Sequence, residues 1–567
     1  MAIFKLDDLK QVSGVVGSCM VGLLVVNLPT LAQPSPDPSR IEQQLPPPTL
    51  TLPEPRIDLP QQEELTPPSG AEDLRFQLLE LEIEGVTVYA PEQLQPFYQA
   101  FLNQETTLLD LYNIANQITR LYRQDGYILS LAIVPEQTIE TGVARIQVIE
   151  GYVEEAEFEG ASPRQLRRLQ GFGDKIVAAR PLNIRALERY LLLANDLAGI
   201  EVRAILRRGS ELGAAQLLGR VTHNPVEGFG NLTNRGTDAV GPLRAQAGVY
   251  LNSPLAQGEA WLLRGATVPN DPPALGFGGF DFALPVGHEG LTFNANTSFT
   301  GVRPGGDLKV FQLRGRTFAV GAGVSYPLVR SRTTNLFIGG SYDYADSRST
   351  TDFTGIREVL SQDRLHVLRF NLEAEQVDPY GLTLGAIQLS QGIAGTRPST
   401  ATEPLSRAEG SAIFTKLNFN VGRIQPLPGE FSFRLQGTAQ VTGDTLLARE
   451  RFGLGGSIFG SAFDPDQILG DSGYGFRAEL RRSFLYSGLG LTQATQPYIF
   501  ADYGQVFRNT RTLAENRSDT LSSAGLGVRH EFGSLVSVGL ELAFPVQSTD
   551  PSTRSDPRVF FVVTGFF

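Results

Sequence analysis

The sequence predicts a multi-domain chain: two small α+β modules, then a transmembrane antiparallel β-barrel of about sixteen strands with one long lumenal loop. Three observations predict it. Lysines precede an apolar run near the amino terminus, the pattern of an export signal. Helical periodicity is confined to the chain before about residue 225. Beyond that point, segments of alternating hydrophobicity recur between clusters of Gly, Asn, Asp, Pro and Ser.

The start, "MAIFKLDDLKQVSGVVGSCMVGLLVVNLPTLAQ", carries Lys5 and Lys10, an apolar run from Val15 to Val26, then Thr30-Leu31-Ala32. The run is shorter than the roughly 20 residues a spanning helix requires. It reads as a signal peptide over residues 1–32, cleaved after Ala32; Cys19 lies inside the apolar run, a poor place for a lipoprotein cysteine. Residues 33–73 are rich in proline, which removes amide donors and favours extended chain. They read as a linker or an extended plug, with "SRIEQQL" able to make a turn or two of helix.

From Leu74 the pattern changes. "FQLLELEIEGVTVY" places Leu79, Leu81 and Ile83 on one face and Glu80, Glu82 and Glu84 on the other, as in a half-buried strand. "APEQLQPFYQAFLN" and "TLLDLYNIANQITRLYRQDGY" read as helices. In the second, Leu111, Ile114, Ala115, Ile118, Leu121 and Tyr122 share a face, and Asp125-Gly126 ends it. "ILSLAIVPEQTIETGVARIQVIEG" reads as a hairpin turning at Glu140-Thr141-Gly142. This β-α-α-β-β order over residues 74–151 recurs, more weakly, over 152–225.

The stretch "LYRQDGYILSLAIVPEQTI", followed by "IQVIEGYV", resembles the signature of the POTRA domain of two-partner secretion transporters. These are the haemolysin-activator, ShlB/FhaC-like branch of the POTRA–barrel superfamily. The resemblance covers nearly all of the first module and, with the barrel, residues from about 40 to the end. It implies periplasmic domains that receive unfolded polypeptide.

Residues 226–567 carry the barrel pattern. "LTFNANTSFT" sets Leu291, Phe293, Ala295, Thr297 and Phe299 against Thr292, Asn294, Asn296, Ser298 and Thr300. "VSVGLELAF" sets Val536, Val538, Leu540, Leu542 and Phe544 against Ser537, Gly539, Glu541 and Ala543. "YGFRAELRRS" sets Phe476, Ala478 and Leu480 against Arg477, Glu479 and Arg481. Charges at every second position of an apolar strand suit lipid outside and water inside. Backbone groups in lipid must all be paired, so such a sheet closes. The final strand "RVFFVVTGFF" would turn Val559, Phe561, Val563, Gly565 and Phe567 to lipid. In the family it resembles, a terminal phenylalanine such as Phe567 is the signal read by the outer-membrane assembly machinery.

The most informative barrel segment is "RFGLGGSIFGSAFDPDQILGDSGYGFRAEL", a long glycine-rich loop beginning near Arg451 and leading into a strand near Tyr474. It resembles the family loop that folds into the lumen, whose core is Val-Arg-Gly-Phe/Tyr, six residues before Gly-Asp. Phe463 stands six residues before Gly470-Asp471, so Gly460, Ser461, Ala462 and Phe463 fall on that motif. The family arginine is then Ser461. Asp502, in "PYIFADYGQVF", matches the inward aspartate that holds the arginine in the family. Without that cation a buried carboxylate is costly. Arg477 or Arg481 on the neighbouring strand are substitutes, Arg449 and Arg451 at the loop base are others, and a wet lumen is the alternative.

Composition narrows the function. A formal net charge of −12 argues against a general nucleic-acid binder. With Cys19 the only cysteine, disulfide frameworks and thiolate metal sites are excluded from the rest of the chain. His223, His288, His366 and His530 are isolated in sequence, and no metal or cofactor motif is recognised. "LGDSGYG" around Ser472 looks like a serine-protease motif but lacks histidine and aspartate context. The expectation is a non-enzymatic transporter in the outer membrane with its modules in the periplasm. Its expected partners are an exoprotein carrying an amino-terminal secretion domain, outer-membrane lipid and the assembly machinery. An assembly factor of the same superfamily is the rival, normally with more modules than two, and a passive pore is a weaker one.

Overall fold

The computed structural model describes residues 37–45, 57–58, 65–353, 355–395, 404–407, 409–488, 491–510, 516–550, 553 and 555–567. The expected signal peptide with Ala32 and Cys19, and most of the proline-rich segment, lie outside them. Two pieces of that segment are described: helix α1 (Pro38–Gln43) and strand β1 (Ile57–Asp58).

The first module contains β2 (Arg75–Leu78), β3 (Glu80–Glu84), α2 (Pro91–Leu94), β4 (Gln104–Thr107), α3 (Leu108–Gln124), β5 (Leu131–Ile133) and β6 (Val143–Ile149). The apolar stripe of α3 (Leu111, Ile114, Ile118 and Tyr122) is buried with Leu81 and Ile146 of the β3-β6-β5 sheet. Thr107 and Asp110 cap the start of α3 reciprocally, satisfying amides that the helix itself cannot pair. The expected first helix is shorter than its sequence pattern. It is α-helical only over α2 and continues as 3-10 turns to Phe101, because Pro96 has no N–H to extend the ladder. Strand β4, whose "QETT" shows no alternation, pairs with β2 and adds to the expected order.

The second module contains β7 (Tyr152–Glu159), α4 (Pro163–Ala178), α5 (Ile184–Asn195), β8 (Ile200–Arg208) and β9 (Ala214–His223). Its sheet order is β1-β8-β9-β7, so the proline-rich segment supplies an edge strand, with Ile57 opposite Ala204 in parallel register.

The wall begins with β10 (Val226–Thr233), β11 (Arg244–Asn252), β12 (Ala260–Thr267), β13 (Leu275–Val286) and β14 (Leu291–Val302). It continues with the long β15 (Leu313–Arg330), β16 (Thr334–Thr351) and β17 (Glu358–Asp378), then β18 (Gly381–Gly395), β19 (Phe414–Pro426) and β20 (Phe431–Thr442). A small hairpin, β21 (Phe452–Leu454) with β22 (Ile468–Gly470), stands apart from the wall ladder. The wall resumes with β23 (Ser472–Arg482), β24 (Phe484–Gly488), β25 (Leu491–Phe507), β26 (Ser518–Phe532), β27 (Val536–Ser548) and β28 (Arg558–Phe566). Both β23 and β24 pair with β25, so they are one wall strand interrupted at Ser483, and the closed barrel has sixteen strands.

Closure is made by β28 on β10, with Phe229 opposite Phe566. The N–H of Gly228 donates to the Phe567 carbonyl at 2.7 Å, and the Phe567 N–H returns to Gly228 at 3.0 Å. The side chain of Phe567 is exposed. The expected alternation holds through the wall: Phe476 is 56% exposed, whereas Arg477, Glu479 and Arg481 are each under 5%.

The second module is bound to one end of the barrel. Asp196 pairs with Arg330 at 2.6 Å, Lys175 with Glu289 at 2.7 Å, and Arg189 donates to the Pro327 carbonyl at 3.3 Å. That end, with the β13–β14 and β15–β16 turns, is the module end. The loops after β10, β12, β14, β16 and β20 lie at the far end.

Candidate functional site

The loop between β20 and β23 folds back from the far end into the lumen. Its stem is the β21–β22 hairpin, and its tip reaches the inner wall formed by β23, β25 and β26. The wall is shaped for it. Gly473, Gly475 and Gly504 face inward, and a Cβ on Gly504 would lie 2.5 Å from Leu454 Cδ1. Phe452, Leu454, Ala462, Phe463 and Ile468 of the loop are buried there against Phe500, Val506 and Leu521. Bare backbone at the glycines lets the apolar loop approach without overpacking.

All four residues aligned with the loop motif meet this wall. Gly460 N–H donates to Asp502 Oδ1 at 2.8 Å, Ser461 N–H to Asp502 Oδ2 at 3.2 Å, and Ala462 N–H to Ser523 Oγ at 3.1 Å. Phe463 is buried. Asp502 thus holds the loop chiefly through main-chain donors. Arg477, its direct cross-strand neighbour, stands 3.7 Å from Oδ2 and also donates to the Ser461 hydroxyl. The cation beside Asp502 thus comes from wall strand β23 and not from the loop.

The other cations named from sequence serve elsewhere. Arg481, four residues further down β23, donates to Ser432 at 2.9 Å and Gln496 at 3.4 Å. Arg449 donates to the Ser39 carbonyl at 3.2 Å, and Arg451 to that of Leu469 at 3.0 Å.

Arg477 is the centre of a larger network. Its Nη2 lies 3.0 Å from Glu541 and 3.4 Å from Glu479, and its guanidinium stacks 3.9 Å from the centre of the Phe500 ring. Glu541 also takes Arg235 at 2.5 Å and the Tyr498 hydroxyl at 2.8 Å, while Glu479 takes Arg529 at 2.7 Å. Buried charges of this kind are retained only when partners surround them. Inward parity of Glu541 and Glu479 was legible in the sequence; their shared partner was not.

At the loop base Gly470 ends β22, and Asp471 is fully buried. It accepts from Arg407 at 2.5 Å and from the N–H groups of Leu446 at 2.8 Å and Asn509 at 2.9 Å. No sequence pattern pointed to Arg407, which lies in the far-end loop before β19.

Helix α1 lies in the far half of the lumen. Arg40 is 3.1 Å from Asp466 at the loop tip and donates to the Ala448 carbonyl at 2.6 Å. Gln44 accepts from Arg244 at 2.8 Å, and the Leu45 carbonyl from Arg264 at 2.8 Å. Ile41 and Leu45 are buried with Val240, Val268 and Leu275. Beside α1 a polar pocket is lined by Gln43, Asp343, Arg369, Lys416 and Glu450 among others. Glu450 there pairs with Arg369 at 2.7 Å and Lys416 at 2.8 Å.

The four histidines are far apart. His223 meets the Asn252 carbonyl, His288 Arg168, His366 Tyr342 and His530 Thr495. Among the described residues no group of three His, Cys, Asp or Glu side chains is placed to hold a metal. Ser472 shares its hydroxyl with the backbone of Thr442, as a wall residue.

A closed sixteen-stranded barrel, filled by a folded-back loop and bearing two α+β modules at one end, defines a transporter of the POTRA–barrel class. Residues 217–530 match the model of the haemolysin secretion/activation protein family ShlB/FhaC/HecB, and residues 76–151 that of the ShlB-type POTRA domain. The chain belongs to the ShlB/FhaC/HecB family. It is an outer-membrane transporter of two-partner secretion, with its POTRA modules in the periplasm; the module end is therefore periplasmic and the far end extracellular. It is 22% identical over 491 residues to the heme/hemopexin transporter protein HuxB of Haemophilus influenzae (strain 86-028NP), covering 84% of this chain and 85% of that one. It is 23% identical to the hemolysin transporter protein ShlB of Serratia marcescens, over 78% of this chain and 77% of that one. Its fold is similar to CdiB from Escherichia coli, with a TM-score of 0.73 at 21% identity, covering 89% and 93% of the two chains.

Proposed function

We propose that the two modules receive an unfolded exoprotein through its amino-terminal secretion domain, and that the lumen passes it outward once α1 and the β20–β23 loop move aside. The observation that carries this is how the lumen is filled. Both inserts are held to the wall by ion pairs, hydrogen bonds and apolar seats, while the wall ladder closes without them. They can leave and return with the barrel intact.

The modules supply the docking edges. An extended segment adds to a sheet edge through main-chain hydrogen bonds, and the chain's own Ile57–Asp58 does so on β8 in parallel register. A passenger strand of the same extended form would take such an edge. The lumenal groups guide and gate, as channel linings do, and the transporter performs no bond chemistry of its own. Folding of the passenger outside the cell gives direction without nucleotide. Outer-membrane lipid surrounds the wall, and the exposed Phe567 next to the closing strand is the signal for the assembly machinery.

The test is secretion of a co-expressed candidate passenger by cells with the intact protein, without it, and with residues 74–224 deleted. Export by the intact protein alone supports the reading and assigns recognition to the modules. No export, with defective assembly of other barrels on depletion, would favour an assembly factor instead.

A further inference from the structure

The outward face of β15, β16 and β17 carries a feature unconnected with the lumen. One parity of these strands faces inward, where Thr317, Ser347 and Asp363 form a buried row. The other parity looks out. Rising along β15 from the periplasmic end it reads Tyr326, Val324, Ala322, Val320, Phe318, then Arg316 and Arg314. Along β16 it reads Leu336, Ile338, Gly340, Tyr342, Tyr344, then Asp346 and Arg348. Along β17 it reads Phe370, Leu368, His366, then Arg364 and Gln362.

The heights match a membrane boundary. At 3.4 Å per residue and a tilt near 40°, Leu336 to Tyr344 spans roughly 21 Å, close to the apolar band of about 25 Å on such barrels. Arg348 stands roughly 10 Å above Tyr344 by the same measure. The arginines therefore emerge above the aromatic girdle, where headgroups of the outer leaflet begin.

Arg316 and Arg348 are direct cross-strand neighbours. Like charges so placed repel each other. Among the described residues neither side chain has a hydrogen-bond or ion-pair partner, and the buried Nε of Arg348 has no acceptor. The acids beside them are already engaged: Asp346 by Arg364 at 3.0 Å, and Asp352 by Arg357 at 3.0 Å and Arg314 at 3.1 Å. Glu358, in register with Thr351, is exposed and has a partner of its own. Arg314, Arg357 and Arg364 thus hold Asp346 and Asp352 beside the Arg316–Arg348 pair.

We propose that Arg316 and Arg348 bind the phosphate of a phosphorylated glycolipid in the outer leaflet. Planar guanidinium groups take phosphate oxygens in pairs, and one phosphate between them turns the repulsion into two charge-assisted contacts. Phe318, Tyr342 and Tyr344 below lie at the depth of the lipid's apolar portion. The site would tie the three longest-reaching wall strands to the leaflet surface.

The experiment measures binding of fluorescent diphosphorylated lipid A, in mixed micelles, to the purified full-length protein. Saturable binding that is lost with dephosphorylated lipid A is expected, falling at least roughly tenfold in R316Q/R348Q and largely retained in R316K/R348K. Heat-dependent gel mobility confirms that each barrel is closed. Should R316Q/R348Q fail to close, Arg348→Gln alone is expected to weaken binding in the same direction. Equal binding by wild type and the closed glutamine variant would overturn the site. Full displacement by inorganic phosphate at wild-type lipid occupancy would overturn the lipid as its ligand.

Discussion

Asp502→Asn tests how the lumenal loop is held. The carboxylate, 4% exposed, accepts Gly460 N–H on one oxygen at 2.8 Å and Ser461 N–H on the other at 3.2 Å. An amide keeps one carbonyl oxygen and places an NH2 group where the second stood. One buried N–H then loses its acceptor, which costs about 1–3 kcal/mol. The ratio of seated to released loop falls by roughly 5- to 150-fold. Side-chain size is unchanged, and the β23–β25 ladder runs through main-chain groups, so the wall is expected to persist. Hydrogen–deuterium exchange of the full chain in detergent reads this directly. Peptides covering 455–470 should exchange faster by that factor, and peptides covering β25 should not. Unchanged exchange in the loop would refute the anchoring role. An equal rise in the wall would show that the barrel, not the loop, had loosened.

Four further outcomes are expected. Arg477→Ala leaves Asp502 without its wall cation and should speed exchange of the loop; adding Ser461→Arg to that variant should restore protection, and failure to do so would argue against an exchangeable cation position. Gly504→Val drives a side chain into Leu454, an overpacking cost of about 1–3 kcal/mol, and should raise protease cleavage of the loop while heat-dependent gel mobility stays that of a closed barrel. Arg40→Ala breaks the buried pair with Asp466, a loss of about 3–5 kcal/mol, and should raise open-channel conductance in planar bilayers; unchanged conductance would show that α1 does not close the lumen. In the first module, burial alone would raise the Glu150 carboxyl, but hydrogen bonds from Thr87, Tyr122 and Val88 bring it below its ordinary value of 4.5. A depressed folded-state value contributes stability above the unfolded value that is lost as pH falls through the folded one, so protection factors of residues 86–89 should drop below about pH 4.5, and Glu150→Gln should abolish that dependence.

Much of this protein was legible in one dimension. Alternation along "YGFRAELRRS" and "VSVGLELAF" assigned Arg477, Glu479 and Glu541 to the lumen, because side chains on a strand point to opposite faces with a period of two. Helical periodicity marked α3 through its buried stripe, and the tail's pattern marked the closing strand. Where local chemistry overrode pattern, as at Pro96, the expected helix was cut short.

Parity says which side of the wall a residue faces, not whom it meets there. That Asp502 meets Arg477 depended on the register between β23 and β25. That Asp471 meets Arg407, and Arg40 meets Asp466 across 426 residues of sequence, depended on how a loop and an amino-terminal helix enter the closed lumen. The adjacency of Arg316 and Arg348 likewise came from strand register across a far-end loop. Local periodicity is set by backbone geometry within each segment; partnership across the barrel is set by closure and stagger of the whole sheet, and only the tertiary structure decides it.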